Sequence, residues 1–206
     1  MIWNIRKVNN IHYASIRNLD ISNGEGVGVA LFVQGCPFNP HCYNCFNPDT
    51  WDFNGGKEWT QDTEDKLIEL ANRPYIKRLS ILGGEPLADE NLDGVLHLVD
   101  RFRLLLPNKS IWLYSGYELS LKKEYIPVDD FWNDEDEEYY RFITDPKDNN
   151  ISDFKRSVII SKCDVVIDGR YIDSQRNPSK KFAGSDNQRV ISITESLKQG
   201  KVITLE

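Results

Sequence analysis

Three of the four cysteines fall in one ten-residue stretch, Cys36-Pro-Phe-Asn-Pro-His-Cys42-Tyr-Asn-Cys45. A disulfide framework would spread its thiols along a small secreted chain, whereas thiols clustered in one loop more often ligate metal. Three thiolates suit a four-iron cluster in which one iron lacks a protein ligand, since most iron–sulfur electron carriers use four cysteines. The coordination position left over is then available to a substrate, as in open catalytic metal sites. The alternative is a structural zinc site with His41 as fourth ligand. That reading calls for a second ligand pair at a distance, such as another C-x2-C, and the sequence has none. His41 reads as a surface loop residue, and Cys163, remote from the other three, as a buried structural thiol.

Three further short motifs could do chemistry. Gly83-Gly84-Glu85-Pro86 offers bare backbone for close approach by a ligand, with one carboxylate beside it, although a strand-to-helix turn would use Gly and Pro in the same way. Ser115-Gly116-Tyr117 and Asp168-Gly169-Arg170 are the other two. Each motif follows a predicted strand: Val27–Val33 before the cysteine loop, then Ile76–Leu82, Ile111–Tyr114 and Val165–Ile167. Between them lie helical patterns. One starts at Thr60, with Asp62 and Glu64 early and Leu67, Leu70 and Ala71 on one face. Leu92, Val95, Leu96, Val99, Phe102 and Leu106 mark a second, amphipathic one, and Ile151–Ser161 is a candidate third. This alternation predicts an α/β fold with a parallel sheet and covering helices. The carboxyl ends of its strands share one rim, where ligands bind, so the four motifs are expected to form a single site.

The remaining segments carry less pattern. Leu119 to about Asn150, with its acidic run Asp134–Glu138, reads as an insertion or an irregular helix with a solvated face. The tail from Arg189 to Glu206 suggests two edge strands around Gln199-Gly200. Trp3, Trp51, Trp112 and Trp132 read as packing residues. The 206 residues fit one domain, 1–206, able to bury a real core. A net charge of −7 argues against nucleic acid as the main partner. No apolar run approaches a membrane span, the N-terminal residues lack a signal-type apolar region, and the expected compartment is reducing cytoplasm.

Taken in order, the motifs resemble the radical S-adenosylmethionine (SAM) superfamily, and within it the activating enzymes of anaerobic (class III) ribonucleoside-triphosphate reductases. The resemblance rests on Asn23-Gly24-Glu25-Gly26, Leu31-Phe32-Val33-Gln34-Gly35-Cys36, Cys42-Tyr-Asn-Cys45-Phe46-Asn47 through Thr50-Trp51, and Gly83-Gly84-Glu85-Pro86-Leu87. It continues through Ile111–Tyr117, Val165–Tyr171 and Gly184–Gln188, so it covers most of the chain. Two departures stand out: the loop is C-x5-C-x2-C where the family usually has C-x3-C-x2-C, and Asp168-Gly169-Arg170 stands where related activases usually have Asp-x-Lys.

The resemblance implies a partial, open (β/α) barrel. It implies a [4Fe-4S] cluster on Cys36, Cys42 and Cys45, with SAM chelating the fourth iron and yielding a 5′-deoxyadenosyl radical. By the same resemblance Gly83, Gly84 and Glu85 would hold the SAM ammonium, and Asn44 and Phe46 would lie near the adenine. Ser115, Asp168 and Arg170 would line the methionine or ribose side. The expected function is a radical SAM oxidoreductase that abstracts a glycine hydrogen in the catalytic subunit of an anaerobic ribonucleotide reductase, fed by an electron donor such as flavodoxin or ferredoxin. Alternatives are a radical SAM enzyme with a small-molecule substrate of the deazapurine synthase type, a sister activase of a formate-lyase-type enzyme, and a zinc-stabilised interaction module.

Overall fold

The computed structural model describes residues 11–126, 137–145 and 150–205. Strand β1 (His12–Asp20) pairs antiparallel with β2 (Gly28–Val33), and the short β3 (Lys57–Glu58) extends its outer edge. Helix α1 (Gln61–Ala71), β4 (Arg78–Gly83), α2 (Leu92–Leu105) and β5 (Ser110–Tyr114) follow. A separate hairpin, β6 (Ser120–Ile126) with β7 (Glu137–Ile143), precedes α3 (Ile151–Ser161) and β8 (Val165–Asp168). The chain closes with β9 (Arg189–Ser192), α4 (Ile193–Gln199) and β10 (Ile203–Thr204).

Local chemistry accounts for the helix ends. The Thr60 hydroxyl accepts from the Thr63 N–H at 3.2 Å, and the Asn150 side chain accepts from the Asp153 N–H at 2.9 Å, each satisfying a donor that the first helical turn leaves free. Gly200 ends α4 with a φ of 64°.

The main sheet is mixed, in the order β10-β9-β8-β5-β4-β2-β1-β3. Its centre, β2-β4-β5-β8, is parallel, and antiparallel strands flank it on both sides. The parallel strands follow one another across the sheet in chain order. Right-handed crossovers that keep advancing in one direction put every connecting helix on the same face. The packing agrees: Leu67 and Ala71 of α1, Val95, Val99 and Phe102 of α2, and Ile159 and Ile160 of α3 share one core with Val29, Leu31, Leu79, Ile81, Leu113 and Val166. The alternate strand residues face the other way, among them Phe32, Ser80, Leu82, Trp112, Tyr114 and Ile167. Among the described residues no helix covers that face, and it becomes the wall of a cavity.

Two expectations are corrected. Where an irregular helix was one reading of the segment after Leu119, the described part is a β-hairpin, because Leu121 and Phe142 on one side of it pack against the helical core. Of the acidic run Asp134–Glu138, only the backbone of its last two residues is described. Trp3 and Trp132 also lie outside the described residues. In the tail, Gln199-Gly200 is a helix terminus rather than a strand turn. The two edge strands exist, but α4 lies between them, held by Ser196, which donates to the Ser192 carbonyl and accepts from the Ile203 N–H.

The uncovered face holds a buried charge. Arg78 is fully buried and donates to Asp20 Oδ2 at 2.8 Å, the Asp20 carbonyl at 3.1 Å and Ser80 Oγ at 2.6 Å. Ser80 in turn donates to the Asn23 carbonyl, and the Asn23 amide donates to Asp20. A Cβ on Gly24 or Gly28 would collide with the Arg78 side chain, so the Asn23-Gly24 turn is shaped around this guanidinium. Breaking one side of such a pair leaves a buried charge uncompensated. Asp20→Ala should destabilise the fold by about 3–5 kcal/mol in chemical denaturation, with Asp20→Ala/Arg78→Met recovering part of the loss. A loss under about 1 kcal/mol would mean that the pair is solvated.

Candidate metal and cofactor site

The parallel register aligns Val33 with Gly83 and Tyr114 with Ile167, so the four strand-end motifs emerge on one rim. They line a single cavity of about 540 Å³, to which Cys36, Cys42, Cys45, Phe46, Gly83, Gly84, Glu85, Ser115 and Arg170 all contribute. Two predicted site residues stand outside that lining. Asn44 is exposed, and its φ of 54° supplies the left-handed step in the turn that the Cys45 N–H closes on the Cys42 carbonyl. Asp168 is buried, accepts from the Leu119 N–H at 2.8 Å, and is engaged by the Arg189 guanidinium.

The cysteine loop grows from a clamped base. The Gly35 and Cys36 N–H groups donate to the Thr50 and Trp51 carbonyls, and the Glu85 N–H donates to the Gly35 carbonyl at 2.7 Å. A Cβ on Gly84 would lie 2.2 Å from that same carbonyl, and one on Gly35 would lie 1.9 Å from the Phe53 ring. Gly84 is therefore required by backbone packing under the loop. The Asn91 side-chain amide donates to the carbonyls of both Gln34 and Glu85 at 2.9 Å, joining the two strand ends. Sequence reasoning missed Asn91, because Asn just before a helix reads as a cap, and here its side chain makes no cap.

Glu85 is the most constrained group in the site. Its Oε1 accepts from the Leu87 N–H and the Ser115 hydroxyl at 2.9 Å each, and its Oε2 from the Gly116 N–H at 2.7 Å. Burial pushes its carboxyl up to about 7, against the opposing pull of these donors and of the Arg156 charge. Burial likewise pushes the Cys36 thiol up to about 11, with the Phe38 N–H opposing and Glu85, Cys42 and Cys45 adding to the rise. A cation at the loop must therefore displace protons when it binds. The Tyr114 hydroxyl lines the cavity, is buried, and has no protein partner among the described residues.

These residues fit a cluster with three protein ligands. All three thiols border one cavity together with Phe38, Phe46 and Trp51, and the Asn47 N–H donates to Cys45 Sγ at 3.4 Å, the kind of bond that tunes an iron–sulfur potential. Among the described residues no three His, Cys, Asp or Glu side chains gather closely enough to hold a single ion. A four-iron cluster is wider than an ion and takes its thiolates from further apart. His41 is not turned to the thiols: its ring stacks on Trp51, with centroids 4.1 Å apart, and Nε2 donates to the Cys36 carbonyl. Cys163 is buried in the helical core and donates to the Ile159 carbonyl.

Comparison with known proteins points to an iron–sulfur cluster. Residues 22–191 match the family model described as a 4Fe-4S single cluster domain. Over 186 residues the chain is 32% identical to the anaerobic ribonucleoside-triphosphate reductase-activating protein of Vibrio cholerae, covering 89% of this chain and 99% of that one. It is also 32% identical to the protein of that name from Escherichia coli K12, over 87% of this chain and 97% of that one. For the one from phage T4 the identity is 30%, over 91% and 97%. The fold and site thus define a 4Fe-4S single-cluster protein. The chain belongs to the family of anaerobic ribonucleoside-triphosphate reductase-activating proteins.

The Glu85 carboxyl makes stability depend on pH. Raised from its ordinary 4.5 to about 7, it keeps in the folded state a proton that the unfolded chain releases earlier. Its contribution to stability should therefore fall as pH rises between about 4.5 and 7. In urea titrations of the cluster-free protein, the wild type should lose stability relative to Glu85→Gln across that window. Parallel profiles would show that the carboxyl is ionised throughout.

Proposed function

We propose that this protein activates an anaerobic ribonucleotide reductase, acting as a radical SAM oxidoreductase on one glycine of the reductase's catalytic subunit. The observation that carries this reading is the convergence of all four strand-end motifs on one cavity that holds three thiols and no fourth. The singly wound parallel core, with no helix on its cavity face among the described residues, supports an open (β/α) barrel of the radical SAM type. The segment from Leu119 to about Asn150, with its β6–β7 hairpin, is an insertion in that single domain.

Cys36, Cys42 and Cys45 would hold the cluster, leaving one iron for the amino and carboxylate groups of SAM. Together the bound cluster and SAM supply one-electron chemistry that ends in hydrogen abstraction from a glycine α-carbon. The chain's own part is to bind, orient and shield. The Glu85 carboxylate has about four acceptor sites, of which protein donors use three, so one remains on Oε2 for the SAM ammonium. Ser115 and the Gly116 N–H hold that carboxylate in place. Phe46, 60% exposed and tilted against Tyr171 with ring centroids 4.8 Å apart, offers a face to the adenine. Burial raises the Tyr114 phenol, which stays a neutral donor for a ligand oxygen. Asp168 positions the turn after β8 through Leu119 and Arg189. A glycine loop suits an open rim because it has no side chain to clash at close approach. A flavodoxin or ferredoxin would supply the electron.

Reconstituted anaerobically, the protein should bind about four irons per chain. Alanine in place of Cys36, Cys42 or Cys45 should abolish the cluster, and Cys163→Ala should keep it. Colourless protein with stoichiometric zinc would sink this assignment. Mixed with SAM, a reductant and the catalytic subunit of its own class III reductase, the holoprotein should produce a glycyl-radical EPR doublet and start nucleotide reduction. Robust SAM cleavage without that doublet would point to a small-molecule substrate. A doublet only with a formate-lyase-type partner would identify a sister activase.

A further inference from the structure

The segment between the first two cysteines, Pro37-Phe38-Asn39-Pro40-His41, lies in neither helix nor strand. Two of its five residues are prolines and bring no N–H, so it has little means of closing on itself by backbone hydrogen bonds. Contacts from elsewhere in the chain hold it. On one flank His41 stacks on Trp51. On the other the Phe38 ring tilts against Tyr117, centroids 5.1 Å apart, over Gly116, where a Cβ would come within 2.4 Å of it. A charged group completes this second flank. Arg170, just beyond β8, donates from Nη2 to the Pro40 carbonyl at 2.5 Å, and its Cζ lies 5.0 Å from the centroid of the Phe38 ring.

We propose that Arg170 is a positioning residue which latches the Cys36–Cys42 segment to the end of β8 and so holds these two cysteines at the spacing the cluster requires. It acts through Pro40 and Phe38. A guanidinium can donate in its plane and lie over a ring at the same time, so one side chain makes a charge-assisted hydrogen bond and a cation–π contact together. A lysine ammonium is a point charge and reproduces this pair only in part. The two unusual features of the sequence, a five-residue first spacing and an arginine after Asp168-Gly169, are thereby one device. The longer loop needs an anchor, and Arg170 reaches it across 130 residues of sequence. The inference rests on the assignment of Cys36, Cys42 and Cys45 as cluster ligands.

The test compares wild type, Arg170→Ala, Arg170→Lys, Phe38→Ala and the Arg170→Ala/Phe38→Ala double variant, all reconstituted anaerobically and kept free of SAM. Iron release to an excess of a ferrous chelator, followed by loss of the brown chromophore, should be about tenfold faster in Arg170→Ala, the scale of losing one charge-assisted hydrogen bond with its cation–π contact. Arg170→Lys should fall between that variant and wild type. The double variant should release iron no faster than the faster single variant, since both substitutions cut one latch. The EPR spectrum of the reduced cluster should change in Arg170→Ala while the melting temperature of the cluster-free protein does not. An unchanged release rate would overturn the proposal, and weaker binding of SAM titrated afterwards into the same samples would make Arg170 a ligand of SAM instead. Equal losses of cluster retention and of cluster-free melting temperature would also overturn it, by showing a general packing role. If wild type itself takes up no cluster, the cysteine assignment fails instead, and that result is distinct from either.

Discussion

The site depends on one buried carboxylate. Glu85 leaves the end of β4 and accepts hydrogen bonds from Leu87 in its own turn and from Ser115 and Gly116 at the end of β5. Parallel strands at their carboxyl ends have no further ladder to hold them together. A carboxylate that takes donors from two neighbouring ends restores that link at the point where the chain must diverge into loops. The turn it fixes also carries the N–H that holds Gly35, and with it the start of the cysteine loop. The cost is an acid kept away from water, offset by donors that are all groups of the same rim.

Close backbone approach is the second constraint. Gly35, Gly84 and Gly116 occupy positions where any Cβ would strike a carbonyl or an aromatic ring of a neighbouring segment. These glycines bring three strand ends near enough to border one cavity, and Asn91 ties two of those ends from beneath. On the cavity face of the sheet, Arg78, Asp20 and Ser80 form a polar floor that shapes the Asn23-Gly24 turn. The face under the helices carries the main apolar core, so helical core and cavity wall are opposite sides of the same strands.

The central strands and their helices were legible because each carries its period in the sequence. Val27–Val33 and Val165–Ile167 are short β-branched runs, and the residues from Leu92 to Leu106 repeat at helical spacing. The edges were not legible. Strand β1 is half-buried and alternates weakly, so its pairing with β2 is set by the partner strand rather than by its own residues. The hairpin after Leu119 mixes lysine, glutamate and aromatic residues whose order suits several structures, and contact with α3 and the core selects one. In the tail, Ser196 can serve a strand or a helix equally well until Ser192 and Ile203 come within reach of its hydroxyl.

By itself the sequence determined the ligand chemistry. Three cysteines in one loop, a Gly-Gly-Glu-Pro turn and two more glycine-bearing strand ends specify donor types and their order along the chain, because those properties reside in the residues. Only the tertiary structure decided which side chains face the cavity. Asp168 looked like a site residue and spends its carboxylate on Leu119 and Arg189, whereas Tyr114, which in the sequence only ends a strand, presents a hydroxyl without a partner among the described residues. Arg170 and Pro40 are far apart in sequence and meet because β8 lies beside β5, whose end packs against Phe38. Such choices depend on which strand ends are neighbours, and that is a property of the sheet order.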